Sequence, residues 1–162
     1  LAERMENQGE IVAVDVSEEK LERIRTNCSR LGIDIVKPCP SEELGKLDLR
    51  SFDLVLADVP CSNTGVLARR PEARWRFDNE SLSQLIRDQL SLAAAAAEYL
   101  KPGGQLIYNT CSIESEECDQ ITEKLLKRVS HIKKSSQQLT LPAGAAEPEQ
   151  WHDGGYLAVF DG

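Results

Sequence analysis

The sequence predicts a single domain of the α/β class over residues 1–162, built on an open and mostly parallel sheet. Two observations lead to this fold class. Short apolar runs alternate along the chain with longer segments whose apolar residues recur at helical spacing. The short runs are apolar at consecutive positions, as in strands that are covered on both faces. A length of 162 residues is enough for one such domain with a real core.

Composition narrows the classes of function. The formal net charge of -8 argues against bulk electrostatic attraction to nucleic acid, which depends on Lys and Arg. Five cysteines without a C-x-x-C pair suit neither a disulfide framework nor a zinc site, so reduced thiols and no metal are predicted. No apolar run approaches the roughly 18 residues of a membrane span, and no signal-peptide pattern begins the chain. We expect a soluble cytoplasmic protein without a membrane partner.

The first predicted strand is the apolar run Ile11–Val14, which Asp15 closes. Residues 1–7 before it are predicted to be the tail of a helix that ends at Gly9. An acidic residue after a strand of a nucleotide-binding βαβ unit commonly binds the ribose hydroxyls. Asp15 could equally serve only to begin the next helix, and its position does not separate the two roles.

A helix follows, with Ser17 as its N-cap and Gly32 at its end. Its apolar face includes Cys28, which is therefore predicted to be a core residue. Residues 33–36 predict a short second strand. The next four residues, 37–40, contain two prolines and are expected to break that strand.

The most informative stretch is Phe52–Ser62, an apolar run that breaks at a proline. Its first half predicts a strand buried on both faces. Asp58 and Cys61 then lie just past the carboxyl end of that strand, which is the edge where ligands bind in open α/β sheets. Residues 103–112 have the same form: a glycine turn, a strand and then Cys111. Two cysteines and one carboxylate are therefore predicted to meet at one edge of the sheet.

Two further helices are predicted around the second of these strands. Asn79 is expected to cap a helix whose apolar face includes Gln89, a buried amide that should hold a loop by hydrogen bonds. The acidic residues Glu114, Glu116 and Glu117 are expected to open the next helix, with Cys118 on its inner face. The rest of the chain predicts mostly loop with one weak strand (130–150) and a final strand (156–160).

Four arginines surround one tryptophan in the polar segment 62–76 of an otherwise acidic chain. Such a cluster can pair with phosphates and stack on a base. A solvated loop whose tryptophan packs back onto the domain would have the same composition, and the residues alone slightly favour that alternative. The cluster consists of Arg69, Arg70, Arg74, Trp75 and Arg76.

Several short blocks of the sequence carry a resemblance to one protein family. The blocks are Asp58-Val59-Pro60-Cys61-Ser62, Arg69-Arg70-Pro71, Lys101-Pro102-Gly103-Gly104, Tyr108-Asn109-Thr110-Cys111-Ser112 with Glu116-Glu117, and Asp153-Gly154-Gly155-Tyr156. They are similar to the conserved blocks of the Sun (RsmB-like) RNA cytosine-C5 methyltransferases. The paired Pro-Cys and Thr-Cys blocks make the resemblance specific, and the last block has a glycine where an aromatic residue is usual.

The resemblance implies a Rossmann-like class I methyltransferase whose mostly parallel sheet has an antiparallel final strand. It implies transfer of a methyl group from S-adenosyl-L-methionine to carbon 5 of a cytosine in RNA, with ribosomal RNA as the expected substrate. By this analogy Cys111 is the nucleophile that adds to carbon 6 of the ring. Asp58 would bind the cytosine and lie near the cofactor, and Cys61 would help to remove the proton at carbon 5. Asp15 would bind the cofactor ribose.

The same resemblance gives the arginine cluster a function. Arg69, Arg70, Arg74 and Trp75 would hold the RNA around a target base that has left its stack. Members of the family carry a separate RNA-binding region before the catalytic domain, so an acidic catalytic domain needs to supply only local arginines.

The sequence departs from the family's pattern in two places. The family's first strand and its glycine-rich cofactor loop would lie before Leu1, so we expect an N-terminally incomplete domain from a longer protein. Where the family usually has an aspartate near the adenine, this chain has the uncharged segment 38–41, which includes Cys39.

Three other functions are compatible with parts of the pattern. A catalytically idle RNA-binding or scaffold domain would not need a cofactor loop. A Rossmann-type dehydrogenase would have a G-x-G-x-x-G fingerprint upstream, but it leaves two cysteines at neighbouring strand ends unexplained. A DNA cytosine methyltransferase would use the Pro-Cys cysteine, Cys61, as its nucleophile, and it leaves Cys111 without a role.

Overall fold

The computed structural model describes residues 1–144 and 150–162. The chain divides into two compact units, Leu1–Asp48 and Leu49–Gly162, and each is described by itself. The single domain expected over residues 1–162 stays a prediction. Part of the loop predicted at 130–150, residues 145–149, lies outside the described residues.

The first unit contains two parallel strands joined by a helix. Its elements are β1 (Ile11–Asp15), α1 (Glu18–Leu31) and β2 (Val36–Pro40). The two strands pair in parallel from Ile11 opposite Val36 to Asp15 opposite Pro40. Parallel strands need a crossover connection, and α1 provides it. A short 3₁₀ helix, Ser41–Lys46, follows β2.

The ends of α1 are those that the sequence predicts. Ser17 Oγ accepts the N–H of Lys20, and Gly32 ends the helix at φ +66°, a conformation that glycine adopts without strain. The buried face is narrower than predicted, because Leu21 is buried but Cys28 is only half-buried. The prediction that Cys28 is a core residue is therefore wrong.

Two other predictions for the first unit are wrong. Residues 1–7 form turns and not the tail of a helix, and the backbone is left-handed at Glu6 and Asn7. The segment 37–40, which was expected to break the second strand, is most of β2 itself. Its prolines are tolerated because β2 pairs on one side only among the described strands, and a proline without an N–H suits such an edge.

Within its described residues the second unit contains four strands and two α-helices, namely β3 (Phe52–Asp58), α2 (Asn79–Ala97), β4 (Leu100–Thr110), α3 (Asp119–Arg128), β5 (Lys133–Thr140) and β6 (Gly155–Asp161). The strand order is β3-β4-β6-β5. Strands β3 and β4 are parallel, and β6 is antiparallel to both of its neighbours. The predicted α/β fold, with a mostly parallel sheet and an antiparallel final strand, is confirmed.

The core of the second unit lies between the sheet and the inner faces of α2 and α3. Leu106, Tyr108 and Phe160 of the sheet are completely buried. Burial of a side chain of this size stabilises the folded state by about 1.5–3 kcal/mol. The helices contribute Ala93, Ala97, Cys118, Ile121 and Leu125 to the same core, which confirms that Cys118 is buried.

Strand β3 is not buried on both faces, contrary to the prediction. Val55 and Ala57 face the core, whereas Leu54 and Leu56 on the opposite face are 43% and 49% exposed. Successive side chains of a strand point to opposite faces, so only one face of β3 is covered. In its four-stranded sheet β3 is an end strand.

Helix α2 is capped by Asp78 and not by Asn79. The Asp78 carboxylate accepts the N–H groups of Glu80 (2.9 Å) and Ser81 (2.8 Å), and Asn79 is the first helical residue. Aspartate and asparagine are equally good N-caps, so the sequence does not choose between neighbours.

Two kinds of feature do not occur in the described ranges 1–144 and 150–162. No helix there combines the length and the apolar character that crossing a membrane requires. No group of three or more His, Cys, Asp or Glu side chains is placed to hold a metal ion there.

Candidate active site

The two strands that lead to the predicted site are neighbours. Parallel pairing sets Asp58, the last residue of β3, opposite Asn109 of β4. One residue further on, the Val59 N–H donates to the Asn109 carbonyl (3.1 Å). The carboxyl ends of both strands therefore lie side by side, and the loop after each strand carries a cysteine to the same edge.

Cys61 and Cys111 form the centre of the site. Their Sγ atoms are 3.0 Å apart, and both side chains are half-buried. The Cys111 thiol, donating to the Cys61 sulfur, lowers the pKa of Cys61 from 9.0 to about 6 against the opposing effect of burial. The Thr110 hydroxyl and the backbone N–H groups of Asn63 and Cys111 lower it further.

Cys111 has the opposite electrostatic environment. Its pKa is raised because its thiol is the donor to Cys61, because it is partly buried and because negative charge lies nearby, including that of Asp58. The two pKa shifts therefore have opposite directions: the surroundings favour the thiolate form at Cys61 and disfavour it at Cys111. A thiolate is the reactive form of cysteine, so the two sulfurs of this pair differ in their chemistry.

Asn63 contacts both cysteines, although the sequence analysis assigned it no role. Its Oδ1 lies within hydrogen-bond distance of the Cys111 sulfur (3.2 Å), and its Nδ2 donates to the Cys61 carbonyl at 2.9 Å. Its backbone is left-handed (φ +63°), a conformation in which asparagine is enriched among residues other than glycine. In the sequence, the feature that could have indicated this role is an asparagine two residues after Cys61, the cysteine that follows β3.

Asp58 lies exposed at the end of β3 and is oriented by a neighbour. Asn109 Nδ2 donates to Asp58 Oδ1 at 2.8 Å. The second carboxylate oxygen has no hydrogen bond to the described residues. Asn109 was quoted in the sequence blocks without a role, and only the strand register reveals its position opposite Asp58.

Two glycines join three loops around Cys111. The Gly65 N–H donates to the Cys111 carbonyl (2.9 Å), and the Gly154 N–H donates to the Gly65 carbonyl (2.7 Å). A Cβ at Gly65 would lie 2.6 Å from both the Cys111 and the Gly154 carbonyl oxygens. At Gly155, where the family usually has an aromatic residue, a Cβ would lie 2.9 Å from the Thr110 carbonyl oxygen.

The arginine cluster does not act as one unit. Arg69 Nε pairs with Asp153 Oδ2 at 3.0 Å, which ties this segment to the Asp-Gly-Gly block. Arg70, Arg74 and Arg76 form no ion pair with the described residues. Trp75 is 87% exposed, so the alternative in which it packs back onto the domain is wrong.

A groove of about 600 Å³ opens beside Cys61. Arg70 lines it, but Arg74 and Trp75 do not. The groove also contains Arg76, the fourth arginine of the cluster, and Arg87, for which the sequence predicted no role. Arg87 lies in the first half of α2 at an exposed position. Apolar periodicity identifies the buried positions of a helix, so it could not indicate Arg87.

Asp15 belongs to the first unit and lies at the end of β1. Its Oδ1 accepts the Ser17 N–H (2.9 Å), and its Oδ2 pairs with Lys20 Nζ (3.2 Å). The Ser17 N–H is the main reason why the pKa of Asp15 is lowered. These contacts support the start of α1 and leave the carboxylate partly exposed, so both roles weighed for Asp15 stay open.

The fold and the cysteine edge define the class of this protein. A mostly parallel α/β sheet whose final strand is antiparallel, with the site at the carboxyl ends of β3 and β4, is a Rossmann-like methyltransferase domain. The family follows from comparison of the whole sequence. The model of the family 16S rRNA methyltransferase RsmB/F matches residues 1–156, and the chain belongs to this family.

Curated relatives agree with this assignment. The chain is 39% identical to ribosomal RNA small subunit methyltransferase B of Enterobacter sp. (strain 638) over 126 residues, which are 75% of this chain and 29% of the relative. It is 34% identical to the protein of the same name from Proteus mirabilis (strain HI4320) over 137 residues, 82% of this chain and 32% of the relative. The chain thus spans less than a third of the length of either relative.

Solved structures share the fold. NSun6 from Pyrococcus horikoshii, crystallised with SFG, is 26% identical with a TM-score of 0.79, covering 99% of this chain and 43% of that chain. A methyltransferase homologue from Pyrococcus horikoshii is 28% identical with a TM-score of 0.77, covering 99% of this chain and 56% of that chain.

The family's cofactor is S-adenosyl-L-methionine, of which SFG is an analogue. The chemistry of the strand-end carboxylates fits this group. Asp15 presents a partly exposed carboxylate, which can accept from ribose hydroxyls, at the carboxyl end of β1. In the second unit, Asp58 presents an exposed carboxylate at the end of β3.

Proposed function

We propose that this chain is the catalytic part of an enzyme that methylates carbon 5 of a cytosine in ribosomal RNA through a covalent cysteine adduct. The rRNA methyltransferase family supports the reaction class and the substrate class. The cytosine, the carbon atom and the adduct are our inference. The observation that carries it is the pair of thiols, 3.0 Å apart, at the ends of two neighbouring strands.

An aromatic carbon is a poor nucleophile, and a covalent adduct divides one difficult step into two easier ones. In our proposal Cys61 accepts the Cys111 thiol proton as the Cys111 sulfur bonds to carbon 6. Carbon 5 thereby gains the electron density with which it attacks a methyl group. The directions of the two pKa shifts support this order, because they favour the thiolate form at Cys61 and the protonated form at Cys111.

Cys61 then acts a second time. After it has released its proton to water, it removes the proton from carbon 5. The electrons of that C–H bond re-form the double bond between carbons 5 and 6 as the carbon–sulfur bond breaks. Cys111 leaves as a thiolate and regains a proton, which restores the starting state of the pair.

Asp58 is the group that would bind the cytosine itself. Hydrogen bonds to the ring nitrogen and the exocyclic amino group would stabilise the charge that develops on the ring. Asn109 supports this role because its amide holds one carboxylate oxygen at 2.8 Å and leaves the other available.

The groove beside Cys61 is where we place the neighbouring nucleotides. Arg70, Arg76 and Arg87 line it, and arginine pairs with phosphate in a bidentate manner. The exposed ring of Trp75 lies outside the groove and can stack on a more distant base. Arg69 and Arg74 complete the proposed RNA-binding segment.

S-adenosyl-L-methionine supplies an electrophilic methyl group. We assign Asp15 to the ribose hydroxyls and Asp58 to the vicinity of the cofactor. Methylation of ribosomal RNA in bacteria takes place in the cytoplasm, so we propose a cytoplasmic enzyme.

The experiment that tests the proposal measures protein–RNA adducts that survive denaturation. Protein, S-adenosyl-L-methionine and 16S ribosomal RNA are mixed, and adducts are separated on a denaturing gel. We expect Cys61→Ala to accumulate the adduct, because the group that would remove the proton at carbon 5 is absent and release is blocked. We expect Cys111→Ala to form none. Cys28→Ala, which alters a half-buried cysteine of α1, is the control and should behave as wild type.

The reverse pattern would make Cys61 the nucleophile, as in the DNA cytosine methyltransferase alternative. If no variant forms an adduct and the wild type transfers no methyl group, the proposed reaction is wrong and the idle-domain alternative gains support.

A further inference from the structure

Glu117 is a completely buried carboxylate surrounded by hydrogen-bond donors. Its Oε1 accepts from the Ser62 N–H (3.0 Å) and from Gln89 Nε2 (2.7 Å). Its Oε2 accepts from the Ser112 hydroxyl (2.6 Å) and from the Ser62 hydroxyl. A buried carboxylate is tolerated only where such donors replace water. The sequence places Glu117 among the acidic residues expected to open a helix, and its complete burial was not predicted.

Two of the donors, Ser62 and Ser112, lie in the two cysteine loops, which are the loop after β3 with Cys61 and the loop after β4 with Cys111. The third donor is Gln89 of α2, which supports the loop after β3. Ser62 follows Cys61 in the chain, and Ser112 follows Cys111. Gln89 is also buried, and its Nε2 donates to the carbonyl of the residue before Cys61 (2.8 Å), as the sequence predicts for a buried amide on this helix. Each contact therefore restrains the chain next to a reactive sulfur.

The position of the carboxylate is itself fixed. The Tyr108 hydroxyl, buried in β4, donates to the Glu117 carbonyl at 2.8 Å. Ser112 Oγ also accepts the Glu114 N–H (3.0 Å), which leaves its hydroxyl proton directed to Glu117. Glu117, Gln89 and Ser112 are buried, so a displaced member of this group has no water molecule as a replacement partner, and its movement is transmitted to both loops.

We propose that Glu117 is a positioning residue that holds the two cysteine loops together and sets the 3.0 Å separation of the Cys61 and Cys111 sulfurs. The inference rests on the proposed function, because that separation matters when both thiols act on one base. Glutamine has the same shape as glutamate, but its NH₂ group would face donors and accept from none of them. Turnover should fall without a loss of RNA affinity, because a completely buried side chain touches no substrate.

The test compares Glu117→Gln with Glu116→Gln, the same change at the neighbouring, half-buried glutamate. We expect Glu117→Gln to lower kcat for methyl transfer to 16S ribosomal RNA by about 100-fold at unchanged KM, since a misplacement of about 1 Å has an effect of that size. Glu116→Gln should keep the wild-type kcat and KM.

A second measurement needs neither RNA nor cofactor. Diamide is added to the free protein, and the rate of disulfide formation between Cys61 and Cys111 is followed by mass spectrometry. The sulfurs must approach to about 2.05 Å, so the rate reports how well the loops are held together. We expect closure in Glu117→Gln to be slower by about tenfold or more. Ile121→Val, a cavity on the buried face of α3, controls for general loosening and should close at the wild-type rate.

Wild-type kcat in Glu117→Gln overturns the inference. So does a fall in kcat with an unchanged rate of disulfide closure, because the carboxylate would then act by another route. If Glu117→Gln does not fold, Ser62→Ala and Ser112→Ala each remove one hydroxyl donor, and slower closure in both is the supporting result. If the wild type transfers no methyl group to RNA, the proposed function fails while disulfide closure still decides the positioning role.

Discussion

At Gly65 the addition of a single methyl group should lower the free energy of unfolding. It lies between the loop after β4 and the Asp-Gly-Gly block, and its N–H and carbonyl bond to Cys111 and Gly154. In Gly65→Ala the new Cβ would lie 2.6 Å from two carbonyl oxygens, both of them backbone atoms. Backbone cannot rotate away as a flexible side chain can, so one of the three loops must move.

The size of the effect follows from the two ways in which the site can respond. If the three loops stay in place, the overpacked Cβ lowers the free energy of unfolding by about 1–3 kcal/mol. Moving a loop to ordinary contact distance breaks two backbone hydrogen bonds that contribute about 0.5–1.5 kcal/mol each. Both routes lead to a loss of about 2 kcal/mol in the free energy of unfolding. For a chain of 162 residues this lowers Tm by about 4–8 °C.

The assay is urea unfolding followed by circular dichroism, with Tm as a second measure. Gly144→Ala is the matched control in the same unit, because among the described residues a Cβ there meets only the Trp151 ring, at an ordinary 3.9 Å. A Gly65→Ala variant as stable as Gly144→Ala would refute the reasoning, since it would mean that the three loops are not in the close contact described.

Three further predictions concern the thiols, the core and helix α2. In Cys111→Ala the pKa of Cys61 should rise from about 6 toward 9.0, because the main hydrogen bond that lowers it is removed. The pH dependence of the rate of Cys61 alkylation by iodoacetamide measures this pKa. An unchanged midpoint of that pH profile would contradict the prediction. Tyr108→Phe removes a buried hydroxyl that lies 2.8 Å from the Glu117 carbonyl, and we expect urea unfolding to show a loss of about 1–3 kcal/mol, not a neutral change. Asp78→Ala should lower Tm at neutral pH. The Ser81 N–H and hydroxyl lower the pKa of Asp78, so the stabilisation is present above the ordinary value of 3.8 and is lost as the pH falls through the lowered value; Tm of both proteins should converge in acid, and a constant difference would contradict this.

The carboxyl edge of the sheet could be predicted from the sequence because its signals are local. A strand that ends in Asp58-Val59-Pro60-Cys61 and a second that ends in Asn109-Thr110-Cys111 each carry an apolar run followed by polar residues. If both strands are parallel and adjacent, their ends must meet. The structure places the two sulfurs 3.0 Å apart, which no local pattern could determine.

Local sequence patterns could not predict the positions of three residues of the site: Glu117, Asn109 and Arg87. An acidic residue before a helix ordinarily lies exposed and stabilises the helix dipole. Glu117 is instead buried, because Ser62 and Gln89 from distant parts of the chain donate hydrogen bonds to its carboxylate. Asn109 reaches Asp58 through strand register, and Arg87 reaches the groove through the rotation of α2. Each of these depends on contacts between segments far apart in sequence.

The sequence by itself determined the α/β class, the order of most helices and strands, the ends of α1 and the two cysteines, because each follows from periodicity, capping chemistry or residue type within a short segment. Only the tertiary structure decided which faces are buried, as Leu54 and Leu56 show, and in which direction the pKa of each cysteine is shifted. The physical reason is that burial and pKa are set by neighbours in space. Those neighbours are fixed by packing and strand register, which emerge only when the whole chain has folded.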